Sequence, residues 1–312
     1  MEKKVKILFF GTGAVGSFYA GKLSQAGASV SVVARSDYSV VKDSGINIKS
    51  IYGDFNFMPD KVLKSGAEFE DNPDYIFVTT KVLPEINVCS LIKDAVTSES
   101  SIVLLQNGID IEKPVAAAFP ENEIISSLAF VCVSRTDYGF VDHQDYGRIV
   151  FGTYPSGISK KVKLLGELFR KSGLPVEITE DVIAARWRKL LWNAPFNPMS
   201  VICDGANTKE LMEHAAIRKL SVDIMNEILM ISAADGHPLD ESLIKKNIKD
   251  TEKMTPYKTS MLLDYENRRP MEVEAILGNA LAIAGKYKII TPYLKTLYAL
   301  LSIINKKNLS SD

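Results

Sequence analysis

Three polar side chains recur at helical spacing within an apolar stretch of the second half of the chain. Lys189, Asn193 and Asn197 follow one another at intervals of four residues, so an α-helix would carry them on one face with a drift of about 40° per step. Burying a lysine and two amides among apolar neighbours is costly unless each has a partner. A solvated helix face would more often carry Glu, Lys or Gln, because asparagine is a poor helix former. The spacing therefore favours a ligand site over a solvated stripe.

The residue types in this stretch suit chemistry at an oxygen that gains negative charge. A lysine ammonium can stabilise such a charge and can then donate a proton. Asparagine amides can orient a polar ligand without adding a second charge beside the lysine. Pro195 and Pro198 must kink or end the predicted helix, which frees carbonyl groups. A second polar cluster could consist of helix caps and surface groups: Thr259, Ser260, Asp264, Glu272 and Glu274.

A glycine-rich loop near the N-terminus predicts a dinucleotide site. It has the pattern G-x-G-x-x-G, follows a predicted strand and opens a predicted helix, which is the context that this motif requires. In such loops the three glycines permit a tight turn, a close approach of the backbone to a pyrophosphate, and close packing of the helix on the strand. The alternative is a glycine turn in an unrelated α/β protein. The predicted cofactor contacts are Gly11, Thr12, Gly13, Ala14, Val15 and Gly16.

The residues after the second predicted strand indicate which dinucleotide binds. An NAD site would place Asp or Glu there to accept a hydrogen bond from the ribose 2′-hydroxyl, whereas this chain has Arg35 followed by Ser36. A guanidinium can pair bidentately with a 2′-phosphate, so the sequence favours NADP. Asp37 is the rival, because it would favour NAD if its side chain pointed inward.

Two more polar groups come directly after predicted buried strands. These are Thr79-Thr80-Lys81 and Gln106-Asn107-Gly108. In an open parallel sheet, ligands bind at the carboxyl ends of the strands. Ordinary turn chemistry, for which Asn-Gly is typical, explains the two groups equally well.

The elements that would position these residues alternate between strands and helices up to about residue 179. Runs rich in β-branched and aromatic residues predict strands, with helical periodicity between them. Strands are predicted at 5–10, 29–34, 75–79, 102–105, 124–133, 148–152 and 175–179, with a hairpin or irregular edge at 46–58. The strands at 124–133 and 148–152 are expected near the edge. The pattern predicts an α/β fold with a Rossmann-type doubly wound sheet.

Beyond residue 179 the chain has helical periodicity and no strand pattern. Long helices are predicted at 210–234, 273–287 and 292–306. We therefore expect an NADP-binding Rossmann domain at residues 1–179, followed by an all-α domain at residues 180–312 that binds the substrate and carries the catalytic residues.

Composition excludes several other classes of protein. The 312 residues include 37 Lys and Arg against 38 Asp and Glu, so no excess of charge favours a nucleic acid or a membrane surface as a partner. Three widely spaced cysteines and three scattered histidines predict neither a disulfide framework nor a metal site. No apolar run suits a membrane span or a signal peptide. We expect a cytoplasmic protein.

Taken in order along the chain, these motifs resemble those of the ketopantoate reductases (2-dehydropantoate 2-reductases). The resemblance covers residues 6 to about 298. It rests on the glycine loop, Arg35, Thr80-Lys81, Gln106-Asn107-Gly108, Trp187, Lys189, Asn193, Asn197-Pro198, Ser260-Met261-Leu262, Asp264 and Glu272. It implies a Rossmann domain, a helical domain and NADPH-dependent reduction of 2-dehydropantoate to pantoate, on the route to pantothenate and coenzyme A.

The resemblance also implies a role for individual residues. Lys189 matches the catalytic lysine, and Glu272 matches the acidic partner at the cofactor end of the site. Arg35 and Lys81 match the contacts to the 2′-phosphate and the ribose. Asn107 would bridge the nicotinamide ribose and the substrate. The other substrate-holding groups would be Asn193, Asn197, Asn207 and Ser260.

Several alternatives stay open. A paralogue could reduce another small keto acid with the same cofactor. A 3-hydroxyacid dehydrogenase of related architecture would also use a lysine and an asparagine four residues apart, and the segment from Ser260 to Glu272 counts against it. A non-catalytic NADP-binding sensor would not need three polar residues on one helix face. The apolar helix at 292–304 could pack on the chain's own core or form a homodimer contact.

Overall fold

The computed structural model describes residues 4–310 and separates into two units. Unit 1 comprises the chain up to Lys81, Glu85–Gln106 and Glu112–Val182, and unit 2 comprises Val82–Pro84, Asn107–Ile111 and the chain from Ile183 onward. Each unit is therefore assembled from several chain segments. The division into two sequence domains at residue 179 stays a prediction.

Unit 1 is built on a ten-stranded mixed sheet. Its strands are β1 (Lys6–Phe10), β2 (Ser29–Val33), β3 (Ile46–Ser50), β4 (Phe55–Phe57), β5 (Val62–Leu63), β6 (Tyr75–Val78), β7 (Ser101–Leu105), β8 (Ile124–Asp137), β9 (Phe140–Thr153) and β10 (Val176–Ile178). Nine lie in the order β4-β3-β9-β8-β7-β6-β1-β2-β5, and β10 pairs with β9. The six neighbouring strands β5-β2-β1-β6-β7-β8 are parallel, and their order is that of a Rossmann sheet. The predicted α/β fold is confirmed.

Helices connect the parallel strands of unit 1. They are α1 (Ala14–Gln25), α2 (Tyr38–Ser44), α3 (Val88–Ile92), α4 (Glu112–Ala118) and α5 (Lys160–Lys171). The central strands β6 and β7 are buried along their whole length, as expected for parallel strands covered on both faces. Phe9 of β1 stacks on Phe77 of β6 with ring centroids 4.5 Å apart. This apolar sheet holds the glycine loop at the carboxyl end of β1.

The hairpin of β8 and β9 differs from the sequence prediction. Both strands have 14 residues, and they lie inside the sheet, where β9 also pairs with β3 and β10. The expected position near the edge was therefore wrong. The pattern at 134–147 is polar because this part of the hairpin is largely solvent-accessible, and such a pattern is easily mistaken for a loop. The turn passes through Gly139, whose φ of +72° suits glycine.

Unit 2 contains helices and no strand among the residues that the structure describes. The helices are α6 (Val182–Ile202), α7 (Thr208–Glu213), α8 (Ala215–Ala234), α9 (Ser242–Lys253), α10 (Ser260–Glu266), α11 (Asn279–Lys286) and α12 (Pro292–Ser310), with a π-helical segment at Glu274–Gly278. Trp187 of α6 is buried in this unit, and its indole Nε1 donates a hydrogen bond to Asp235 Oδ2 at 3.3 Å. The predicted all-α character of this half is confirmed.

The structure adds detail to three helical predictions. The single helix expected at 210–234 is two helices, because His214 adopts an extended backbone with ψ of 110° between α7 and α8. No residue type there forbids a helix, so periodicity alone could not reveal the break. The helix expected at 273–287 begins as the π-helical segment. Helix α6 continues through Pro195 and Pro198, which were expected to kink or end it, so neither ends the helix and a kink stays a prediction.

Within residues 4–310, no helix combines the length and the apolar character needed to cross a membrane.

The buried His143 of β9 contacts both helix α1 and the neighbouring strand β3. The Nδ1 atom of His143 lies 2.8 Å from Ser50 Oγ, and its Nε2 atom lies 3.1 Å from the carbonyl oxygen of Asp145. The ring stacks on Phe18 of α1 with centroids 4.2 Å apart. The carbonyl oxygen of Tyr146 also lies 3.2 Å from Nε2, and two carbonyl acceptors there fit a neutral ring that donates from Nε2 and accepts from Ser50 at Nδ1. Burial lowers the pKa of His143 and thus favours this neutral form.

We predict that His143 makes the protein less stable as the pH falls. Because the folded state binds the proton on His143 more weakly than the unfolded chain does, the free energy of unfolding decreases as the pH drops below about 6.5, the ordinary histidine pKa. Urea unfolding of the wild type and His143→Gln at pH 7.5 and 5.5 measures this. The variant should lose less stability between the two pH values.

The exposed His214 provides the control, since His214→Gln should keep the pH dependence of the wild type. An equal pH dependence in His143→Gln and the wild type would refute the role of His143.

Candidate active site

The glycine loop has the three geometric properties that dinucleotide binding requires. Gly11 has a φ of +113°, which permits the turn out of β1. A Cβ atom on Gly13 would meet nothing within 4 Å, so the space in front of the loop is open. A Cβ atom on Gly16 would overlap the Gly11 carbonyl oxygen and Thr79 Oγ1, so α1 packs directly on the strands there. No side chain caps α1, and Ala14 and Val15 begin the helix whose N-terminus would face the anion.

Thr79 supports this loop, which the sequence did not reveal. Its hydroxyl donates to the carbonyl oxygens of Gly11 at 2.9 Å and Phe10 at 3.1 Å. Gln106 follows β7, and its Nε2 atom donates to the Thr80 carbonyl oxygen at 2.7 Å. These two members of the polar groups therefore hold strand ends together. Lys81 lies half-buried in the same loop after β6, where its predicted role in cofactor binding stays a prediction.

Arg35 and Asp37 lie in different environments after β2. Arg35 is exposed, as a contact for a ligand phosphate would be. Asp37 is only 2% exposed. Its Oδ1 atom accepts a hydrogen bond from the Thr12 hydroxyl at 2.8 Å, and its Oδ2 atom lies 3.6 Å from Nη1 of Arg135. The rival carboxylate therefore points toward the glycine loop, with an arginine beside it that the sequence did not single out.

Unit 2 joins the predicted catalytic residues in a chain of hydrogen bonds. The Nζ atom of Lys189 donates to Asn107 Oδ1 at 2.8 Å. Asn107 Nδ2 approaches Glu272 Oε2 at 3.5 Å, and Glu272 Oε1 accepts from the backbone N–H of Val82 at 2.9 Å. Residues far apart in sequence thus lie side by side. The arrangement has the Lys189 ammonium at one end and the Glu272 carboxylate at the other, with the neutral amide of Asn107 between them.

The backbone that carries Asn107 is held by other parts of unit 2. Arg186 is buried in α6 and donates from Nη1 to the Gly108 carbonyl oxygen at 3.1 Å. Gly108 has a φ of +105°, and a Cβ atom there would lie 2.8 Å from the carbonyl oxygen of Ala275. Asn279 donates to the Ile109 carbonyl oxygen at 2.8 Å. The position of the Asn107 amide therefore depends on backbone contacts on several sides.

Two asparagine amides on the Lys189 face of α6 have no protein partner. Asn193 and Asn197 are 7% and 3% exposed. Neither side chain forms a hydrogen bond with any other residue of the described part of the chain, 4–310. Their amide atoms are not among the fully enclosed unpartnered atoms of the described residues, so both amides keep access to solvent or a ligand. Two such amides beside a lysine are therefore suited to a polar ligand.

Asn207 and Ser260 lie at helix starts. Asn207 caps α7, where its Oδ1 atom accepts from the N–H groups of Lys209 and Glu210, and Glu210 completes the capping box. Ser260 is exposed at the first position of α10, and Thr259 supplies the cap of that helix. The cap of α7 is a structural role that the sequence prediction did not include. Substrate binding by Asn207 and Ser260 stays a prediction.

The described residues contain no group of three or more His, Cys, Asp or Glu side chains that could hold a metal ion.

Comparisons with known proteins cover nearly the whole chain. A family model described as Ketopantoate reductase PanE/ApbA matches residues 7–156, and one described as Ketopantoate reductase PanE/ApbA C terminal matches residues 181–305. A 2-dehydropantoate 2-reductase from Nostoc sp. is 34% identical over 98% of this chain and 97% of its own length.

Solved structures share the fold. The crystal structure of 2-dehydropantoate 2-reductase from Methylococcus capsulatus is 46% identical, with a TM-score of 0.91 over 97% of both chains. The ternary structure of D-mandelate dehydrogenase with NADH and anilino(oxo)acetate is 23% identical, with a TM-score of 0.88 over 97% of this chain and 99% of that one. This second likeness concerns the fold alone.

We predict that two alanine substitutions in the glycine loop affect different properties, one the stability of the protein and the other its dinucleotide binding. Gly16→Ala should lower the free energy of unfolding by about 1–3 kcal/mol, because its Cβ atom has no room. Gly13→Ala has room in the protein but fills the approach of a pyrophosphate, so it should weaken dinucleotide binding by about tenfold or more with little loss of stability. Thermal unfolding and fluorescence titration with NADPH measure the two effects. Equal destabilisation by both substitutions would contradict the assignment.

Proposed function

The chain belongs to the ketopantoate reductase family of oxidoreductases, and from this premise we propose that it reduces 2-dehydropantoate to pantoate with NADPH. The reaction would serve the synthesis of pantothenate and coenzyme A. A cytoplasmic location is part of the same proposal, supported by three widely spaced cysteines.

The observation that carries this function is the polar face of α6. Lys189 lies on this face and donates a hydrogen bond from Nζ to Asn107 Oδ1 at 2.8 Å. The same face carries Asn193 and Asn197. A keto acid with a hydroxyl group offers a carbonyl oxygen, a hydroxyl and a carboxylate as partners. These are the groups that one ammonium and two unpaired amides can bind. A non-catalytic sensor would not require them.

Lys189 has two tasks in the proposed reaction. The bound nicotinamide nucleotide supplies the hydride that reduces the ketone carbon. Lys189 stabilises the negative charge that grows on the ketone oxygen and donates the proton that completes the hydroxyl group. Its hydrogen bond to Asn107 directs the ammonium before the reaction starts, so little reorganisation is needed. Glu272 holds the other side of the Asn107 amide.

The substrate would be held by neutral amides and a hydroxyl group. Asn193 and Asn197 would donate to its oxygens without placing a second positive charge beside Lys189. Asn107, Asn207 and Ser260 complete the proposed set. Ser260 would donate to the carboxylate.

The nucleotide would be held by unit 1. The glycine loop has the open space and the helix N-terminus that a pyrophosphate needs. The exposed guanidinium of Arg35 would pair with the 2′-phosphate, and Lys81 would add a second contact.

A second candidate is a reductase of another small 2-keto acid. The fold likeness to D-mandelate dehydrogenase favours keeping this alternative, because one fold can serve several substrates. The test is NADPH oxidation with a panel of 2-keto acids that includes 2-dehydropantoate. Preference for 2-dehydropantoate in kcat/KM supports the proposed function. Preference for a different acid supports the alternative, and no turnover with any of them would contradict both.

We predict that Lys189→Ala lowers kcat by about 10²–10³-fold, because one preorganised donor to the ketone oxygen is lost. Lys189→Arg should restore little activity, since guanidinium hardly releases a proton and has a different shape. Lys219 on α8 is the matched control, because it is an exposed helix lysine paired with Asp223. Lys219→Ala should keep kcat close to the wild-type value. Retention of more than about a third of kcat in Lys189→Ala would end the catalytic assignment.

We predict that Arg35→Glu weakens NADPH binding by about ten- to a hundredfold, since a charged partner of the 2′-phosphate becomes a like charge. NADH carries no 2′-phosphate, and its affinity should not fall. Fluorescence titrations with both nucleotides measure this. Arg170→Glu, at an exposed arginine of α5, makes the same change in charge and should leave both affinities unchanged. Equal affinity of the wild type for the two nucleotides would refute the role of Arg35.

A homodimer is the proposed assembly. Helix α12 buries Leu294, Leu297 and Leu301 against its own unit, while Leu300 and Ile303 stay exposed on another face. A second copy could cover that face. Light scattering should then give twice the chain mass of 34.4 kDa, and the double variant Leu300→Asp/Ile303→Asp should give a monomer. A wild-type mass near that of one chain would exclude the dimer.

A further inference from the structure

The position of Asp37 should work against NADPH. It lies two residues after Arg35, in the segment that follows β2, where Rossmann proteins bind the adenine ribose. A carboxylate at this place accepts from the 2′-hydroxyl of NAD and repels a 2′-phosphate. Asp37 is also directed at the glycine loop through its hydrogen bond with Thr12. A protein that prefers NADPH therefore needs a reason why this carboxylate does no harm.

Arg135 provides a charge that opposes Asp37. Its Nη1 atom lies 3.6 Å from Asp37 Oδ2, and its side chain is 28% exposed while that of Asp37 is 3% exposed. Because the pair is sheltered from solvent mainly on the Asp37 side, screening by water is weaker than between two surface charges. The two carboxylate oxygens are thus both engaged, one by the Thr12 hydroxyl and one by the guanidinium.

The fold holds Arg135 in this position. It lies on β8 opposite Val141 of β9, near the turn of the long hairpin. Its guanidinium carbon lies 5.3 Å from the centre of the Tyr138 ring, within the range of a cation–π contact. A residue more than ninety positions after Asp37 in sequence is thereby placed beside it.

On the proposed use of NADPH, we propose that Arg135 is a specificity-determining residue that acts through Asp37: it neutralises the carboxylate and so permits a 2′-phosphate to bind at Arg35. The preference for NADPH is then set by three charges. Arg35 attracts the phosphate, Asp37 would oppose it, and Arg135 cancels that opposition. Arg135 is a positioning residue for the charge of the site and does not need to contact the nucleotide.

The test measures the ratio of dissociation constants, Kd for NADH over Kd for NADPH, by fluorescence titration without any substrate. Arg135→Met removes the charge and keeps an extended side chain, and it should lower the ratio by about tenfold. Arg135→Lys keeps the charge and should stay within about threefold of the wild type. Arg148→Met is the matched control, since Arg148 lies on β9 of the same hairpin and pairs with Glu177 instead. It should leave the ratio unchanged.

A double variant separates action through Asp37 from direct contact. In the background of Asp37→Asn there is no carboxylate to neutralise, so Arg135→Met should no longer lower the ratio. Asp37→Asn alone should keep or raise the preference for NADPH. If Arg135→Met does not fold, Arg135→Gln, which also removes the charge, takes its place in both backgrounds.

Three results would overturn the inference. These are an unchanged ratio in Arg135→Met, an equal fall in the Asp37→Asn background, and a loss of NADPH preference in Asp37→Asn alone. Each of them leaves NADPH binding by the wild type intact, so the proposed function would survive. A wild type that binds neither nucleotide overturns the proposed function and the inference together.

Discussion

The half-buried ammonium of Lys189 needs hydrogen-bond acceptors, because burying an unpaired charge is costly. The amide oxygen of Asn107 in unit 2 is one of these acceptors. The backbone that follows Asn107 allows this. Gly108 packs against Ala275 at a distance that leaves no room for a Cβ atom, and its carbonyl oxygen accepts from the buried Arg186. The position of the amide oxygen that Lys189 contacts thus depends on the backbone contacts of Gly108.

The two units treat charge differently. Beside Lys189, the neutral amide of Asn107 lies between the ammonium and the carboxylate of Glu272. At the end of β2, charges of both signs lie close together, and their burial differs. Arg35 is exposed, Asp37 is buried and Arg135 lies between these limits. The effect of each charge on a ligand therefore depends on what its neighbours neutralise, not on its sign alone.

Local patterns in the sequence were sufficient for much of the fold and for part of the site. The glycine loop predicted a strand, a turn and a helix, because the motif implies the positive φ of Gly11 and the close packing at Gly16. The spacing of Lys189, Asn193 and Asn197 predicted one helix face for the same kind of reason. The ion pair of Asp37 with Arg135 could not be predicted, because it depends on the pairing of β8 inside the sheet. The extended backbone at His214 also has no local signal, since the residue types there are compatible with a helix.

Unit 2 is assembled from separate segments of the chain, and this has a consequence for the exchange of gene segments between proteins. Asn107 belongs to unit 2, yet it is encoded between β7 and α4, in the middle of the segments that form unit 1. An exchange of gene segments at residue 182 would transfer Lys189, Asn193 and Glu272 without the amide to which the lysine donates. A helical half joined to another nucleotide-binding domain would keep this hydrogen bond only if that domain supplied an amide at the position of Asn107.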